Sequence, residues 1–164
     1  MCIRDSSGTG IMIMTSKEVE IFDNEITNNN VMGVGIVSYL VLETFDSNLS
    51  YEDDAYVPYV DKINIHNNTF ARTTEYPAEQ NQIGSLLQNV YPEGDMPDII
   101  YDGIFNPDLA DVENKGICIA GNGDATFANV DAEGFFLNQS YDMLPHSCSP
   151  DGLPEVSVNA PTIE

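Results

Sequence analysis

Val19-Glu20-Ile21-Phe22-Asp23-Asn24-Glu25-Ile26 decides the reading, because its pattern returns twice. Ile63-Asn64-Ile65-His66-Asn67-Asn68-Thr69-Phe70 is a second copy, and Ile117-Cys118-Ile119-Ala120-Gly121-Asn122 opens a third. In each, two apolar residues stand at i and i+2, and an asparagine follows at i+5. Alternation with period two marks a strand with one buried face. A second set of copies, Gly10-Ile11-Met12-Ile13-Met14 and Gly33-Val34-Gly35-Ile36-Val37, lies 23 positions apart. β-branched residues, Asn and Gly dominate both sets, which disfavours a helix.

The asparagines have a physical role to fill. Asn tolerates the left-handed backbone region better than most residues, so Asn24, Asn68 and Asn122 are expected to make the bend between strands. Amides at the same place in successive coils can also stack into a hydrogen-bonded ladder. A coil of about 23 residues with three short strands is the rung expected of an all-β parallel β-helix, a solenoid. A β-sandwich would not repeat Asn at one fixed offset. The three copies start at 19, 63 and 117, which leaves room for two coils in each gap with local insertion or loss. Insertion loops are expected at Thr44–Val60, Thr73–Gln82 and Tyr91–Asp98, with strands resuming at Ile83–Leu87 and Asp98–Phe105.

The coils are expected over residues 7–126. A C-terminal cap over 127–148 would cover the last coil with Phe127, Val130, Phe135, Phe136 and Leu137, because an open strand edge recruits other chains. Residues 149–164, with three prolines, read as an extended tail or linker. Met1–Ser6 resembles a translated sequencing adapter, so earlier coils of the same protein are expected before Ser7.

Composition narrows the partners. There are 27 acidic and 5 basic residues, a net charge of −22. Phosphate binding needs clustered Lys and Arg, so nucleic acid is excluded as a partner, and so are anionic membrane surfaces. Val31–Leu42, the longest nearly apolar run, is shorter than the roughly 20 residues a membrane span needs. With Cys2 set aside, Cys118 and Cys148 remain. An even pair in an acidic, Lys-poor chain favours a disulfide in an oxidising compartment, extracellular or periplasmic. The alternative is two free thiols, one of them buried in a strand.

The repeated pattern, from about Gly8 to Ser149, resembles the right-handed parallel β-helix proteins of the pectate-lyase-like superfamily. It is most similar to secreted bacterial repeat proteins of that kind. Asn122-Gly123-Asp124-Ala125-Thr126-Phe127-Ala128-Asn129, with the later Pro145-His146-Ser147-Cys148, looks like the final coil and cap of that group. The resemblance implies a carbohydrate-active or carbohydrate-binding protein. The superfamily spans polysaccharide lyases, hydrolases, epimerases, tailspikes and adhesins, so it fixes no reaction. The alternative from another class is a non-catalytic surface or adhesion scaffold.

Candidate site residues are few. Gly33-Val34-Gly35 lacks the third glycine and the helix of a dinucleotide site. Lyases of this fold need a basic residue and often Ca2+, and Arg72 is the only arginine beyond the first six residues. His66 falls on a strand with outward parity, where it would face a groove or simply solvent. Asp102 is a candidate hydrolytic carboxylate, although acidic residues are too plentiful for proximity to count. Tyr39, Tyr51 and Tyr56 are candidate sugar platforms, since a tyrosine ring stacks and its hydroxyl hydrogen-bonds. No cofactor is required; Asp53, Asp54 and Asp124 offer oxygen ligands for Ca2+, or are solvated acidic turns.

Overall fold

A computed structural model describes residues 8–45, 56–72, 82–94, 96–150 and 152–153. Met1–Ser6, Tyr51, Asp53, Asp54 and the tail from 154 onward lie outside the described residues.

The strands are β1 (Thr9–Met14), β2 (Lys17–Phe22), β3 (Glu25–Thr27), β4 (Met32–Val37), β5 (Asp61–His66), β6 (Thr69–Ala71), β7 (Ile99–Tyr101), β8 (Ile117–Ala120) and β9 (Phe127–Asn129). Helices α1 (Leu40–Phe45) and α2 (Gln82–Val90) interrupt them. All the pairings between these strands are parallel. The first sheet has the order β1-β4-β7-β9, the second β2-β5-β8, the third β3-β6. Among the described residues no strand pairs with its neighbour in sequence, so the chain visits each sheet in turn and returns to the first.

The register follows the repeats residue for residue. Ile11 pairs with Val34 and Ile13 with Ile36. Val19 pairs with Ile63 and then Ile117, and Ile21 with Ile65 and then Ile119. These columns point inward and form one core with Ile99, Tyr101 and Phe127. Ile36, Ile63, Ile65, Ile99 and Ile117 are all but inaccessible to solvent. Each such side chain contributes roughly 1.5–3 kcal/mol by leaving water.

Direct pairing of β2 with β5 and of β5 with β8 corrects the expectation of two coils per gap. Each gap holds one circuit of the sheets, lengthened by insertions. One insertion contains α2, where a strand was expected at Ile83–Leu87. Ile83, Leu86, Leu87 and Val90 are spaced at i, i+3, i+4 and i+7, the period of a helix face. The strand expected over Asp98–Phe105 is reduced to Ile99–Tyr101, and Gly103 turns the chain away at φ 87°. Phe127–Asn129 is a strand on β7, so the first sheet continues into the segment read as a cap.

The corner between the second and third sheets also departs from expectation. The left-handed residues are Asp23, Asn67 and Gly121, at φ 55°, 54° and 66°, each one position before the asparagine. The asparagines act through their side chains, in the amide ladder expected from the repeats. Asn24 donates its backbone N–H and its Nδ2 to Asn68 Oδ1, both at 3.0 Å. Asn68 does the same to Asn122 Oδ1, at 3.0 and 3.1 Å. Asn68 Nδ2 also donates to Ile21 O, and Asn122 Nδ2 to Ile65 O. Asn68 and Asn122 are buried, so these polar atoms have little water to fall back on.

A disulfide joins Cys118 on β8 to Cys148. It ties the C-terminal segment to the second sheet and encloses a loop with a sequence separation of 30. In the chain-entropy account such a loop stabilises by about 3–4 kcal/mol. No helix of the described residues is long and apolar enough to cross a membrane.

Two outcomes follow from this packing. Asn68→Ala is expected to lower stability by about 2–3 kcal/mol, because buried backbone groups lose their partner. Asn67→Gly should be neutral or mildly stabilising, since its backbone is already left-handed. Urea denaturation of both variants checks the pair; an equal loss at the two positions would refute the division of labour. Cys118→Ser with Cys148→Ser should lower stability by about 3–4 kcal/mol. Thermal unfolding of that double variant, against the parent with and without reductant, tests it.

Candidate ligand-binding face

The second sheet presents alternate residues outward. Glu20 and Phe22 of β2 lie beside Asn64 and His66 of β5, and these beside Cys118 and Ala120 of β8. His66 Nε2 stands 2.9 Å from Glu20 Oε1, and Asn64 Nδ2 donates to the same oxygen at 3.4 Å. The bond to His66 holds the Glu20 carboxyl below the usual carboxylate range. Gly152–Leu153 reaches this face, with Leu153 N donating to Glu20 Oε2 at 3.4 Å. Phe22 is 50% exposed and stacks on the His66 ring at 5.3 Å with the planes 4° apart. Asn64 Oδ1 is buried with no partner. Lys62 and Glu18 form an exposed ion pair at 2.6 Å along the same strands.

Chemically, this face offers a stacked aromatic pair, an oriented imidazole, a carboxylate and an amide. A histidine held by a carboxylate is equipped to move a proton, and the same group can hydrogen-bond a hydroxyl. The sequence places His66 outward; what it does not contain is the pairing with Glu20. That pairing depends on the register, which brings positions 44 and 46 apart onto neighbouring strands.

The other sequence candidates are dispersed. Arg72 is engaged in structure: its guanidinium donates to Met96 O at 2.6 Å and Pro97 O at 3.2 Å, and Asp98 lies 3.6 Å away. Tyr39 and Tyr56 pack edge to face at 6.1 Å, with Tyr56 38% exposed. Asp124 is exposed in the turn after Asn122, where Gly123 has φ 62°. Among the described residues no group of three or more His, Cys, Asp or Glu is arranged to hold a metal ion.

Asp102 is buried beside β7 and organises the chain around it. Oδ2 accepts Ser38 N–H at 2.6 Å and Oδ1 accepts Ile104 N–H at 2.9 Å. Burial raises its pKa to about 7, against the pull of those two bonds. His146, buried near the disulfide, aims Nδ1 at the carbonyls of Asn114 and Ile117. Burial lowers its pKa. It lines a cavity of about 180 Å3 with Tyr101, Glu113, Lys115, Asn129 and Asp142, and the Tyr101 hydroxyl is buried without a partner.

Compared with family models, with curated proteins and with solved structures, the chain has no match in any of the three.

The Asp102 carboxyl sets a pH dependence with a definite sign. Its folded pKa of about 7 lies above the ordinary carboxylate value, so the folded state binds the extra proton between the two. The group therefore costs stability as pH rises from about 4 to about 7, by at most roughly 4 kcal/mol. His146 works the other way, losing stability as pH falls below about 6.5. Asp102→Asn should flatten the decline between pH ~4 and ~7 in urea denaturation series. A slope unchanged by that substitution would place the titration on another group.

Proposed function

We propose that the chain belongs to an extracellular right-handed parallel β-helix that binds a neutral glycan on the outer face of its second sheet. The pectate-lyase-like resemblance is part of this proposal. Three parallel sheets visited in turn, with strand registers that follow the sequence repeats, support it. The observation that carries the binding role is the exposed Phe22 ring stacked on His66, beside the Glu20 carboxylate and the Asn64 amide. A pyranose ring has an apolar face of C–H groups and an edge of hydroxyls. Aromatic rings cover the first, and carboxylates and amides bind the second.

Charge selects among glycans. At −22 the protein repels polyuronates at long range, so a neutral polymer is the better partner. Binding is favoured over lyase turnover through Arg72, because that guanidinium is occupied by Met96, Pro97 and Asp98.

Affinity electrophoresis in gels carrying galactomannan, mixed-linkage glucan, alginate or pectate tests this reading. Retardation by a neutral polymer is expected, and Phe22→Ala should weaken it about tenfold, the loss of one stacking contact. Retardation by the anionic polymers alone, or retardation that Phe22→Ala leaves intact, would remove this face from consideration. No retardation in any gel would leave the scaffold reading in its place.

A further inference from the structure

A cavity of about 400 Å3 lies against the outer face of the first sheet beneath the two helices. Met12, Met32 and Ile100 wall it from the strands, and Leu42, Leu86 and Leu87 from α1 and α2. Its volume falls in the range of roughly 300–1,000 Å3 typical of small-molecule sites. Among the described residues every lining side chain is apolar except one, Asp102. That carboxyl is 4% exposed and receives one backbone N–H on each oxygen, which leaves a lone pair on each.

We propose that this cavity binds a small, uncharged apolar molecule carrying one hydroxyl group, with the hydroxyl on Asp102 and the apolar body among the methionine and leucine side chains. A space walled by apolar atoms holds water poorly, because each water needs two or more polar partners. A sugar is excluded for the same reason: most of its hydroxyls would be buried unpaired. The thioethers of Met12, Met14 and Met32 adapt to irregular apolar shapes. Gly35 contributes room on the same face, because a Cβ there would stand 2.6 Å from Met32 Sδ. A hydroxyl suits Asp102 in either protonation state, since it both donates and accepts. The raised pKa of this carboxyl makes both states accessible near neutral pH. An ammonium would bring a second ion into an apolar space, at a desolvation cost its one carboxylate partner does not reliably offset. The site is separate from the Glu20–His66 face and stands whether or not that face binds glycan.

The test uses the full chain and three probes of equal chain length: decanol, decyl methyl ether and decylammonium. Calorimetry and thermal shift report affinity. Decanol is expected to bind with one site per chain and raise the melting temperature. The ether, which lacks a donor, should bind about tenfold more weakly. Leu86→Trp, placed on the half-buried side of α2, should fill the space and abolish decanol binding while circular dichroism stays unchanged. Equal affinity for ether and alcohol would overturn the role of Asp102, and tighter binding of decylammonium would replace it with an ion-pair site. Failure of all three probes to bind, or wild-type decanol affinity in a folded Leu86→Trp variant, would overturn the cavity assignment. The comparison among probes on the unmutated protein remains decisive if that variant does not fold.

Discussion

One carboxamide, bonded to its counterparts on the neighbouring segments on either side, holds these parallel strands in register. At the corner between the second and third sheets, Asn68 accepts two N–H groups from Asn24 and gives two to Asn122. A parallel strand pair shifted by one residue would turn every core isoleucine outward. The amide opposes that shift, because its bonds close only when the paired strands keep this register. Everything outward depends on this. Glu20 meets His66, and Phe22 stacks on that ring, only because Val19 and Ile63 are level.

Charge is the second organising constraint. Most of the described cations are engaged by their neighbours. Lys62 pairs with Glu18, Arg72 holds the Met96–Pro97 carbonyls beside Asp98, and Lys115 donates to Leu109 O and Ala110 O over the Phe105 ring. Five basic residues offset only a small part of the charge of 27 acidic ones, and the net charge is −22. The surface therefore disfavours anionic ligands and keeps the protein apart from other acidic macromolecules.

The strands with two apolar residues at fixed offset were legible because one face of each is buried and the same residues recur. Register was legible for the same reason: aligned copies are paired strands. What could not be read was the number of circuits, since an insertion and a missing coil leave the same gap in sequence. α2 was misread because Ile83, Leu86 and Leu87 satisfy a short apolar run as well as a helix stripe, and length was the only arbiter. The asparagine ladder was legible from the fixed offset, but the bend assigned to the same residue belongs to its neighbour. Propensity tables report that Asn tolerates a left-handed backbone; they do not say that Asp23, Asn67 and Gly121 hold it here, leaving the amide free to bridge. As for the site, parity alone turned His66 outward, while the Glu20 partner and the Asp102 cavity needed three dimensions. Tyr39 and Tyr56 illustrate the limit: their edge-to-face pairing was not legible in the sequence.

The long insertions have a cost that the finished structure hides. β1 meets β4 after 23 residues of chain, whereas β4 meets β7 only after 65. Closing the longer loop costs about 0.9 kcal/mol more in chain entropy by the logarithmic rule. The parallel pairings of the first sheet are therefore not equivalent as the chain assembles, although they look alike once formed. The pair nearest the start of the chain closes most cheaply and presents β4 as a template. The strand after the helical insertion, β7, joins the sheet at the greatest entropic expense, and β9 can pair only with a β7 already in place.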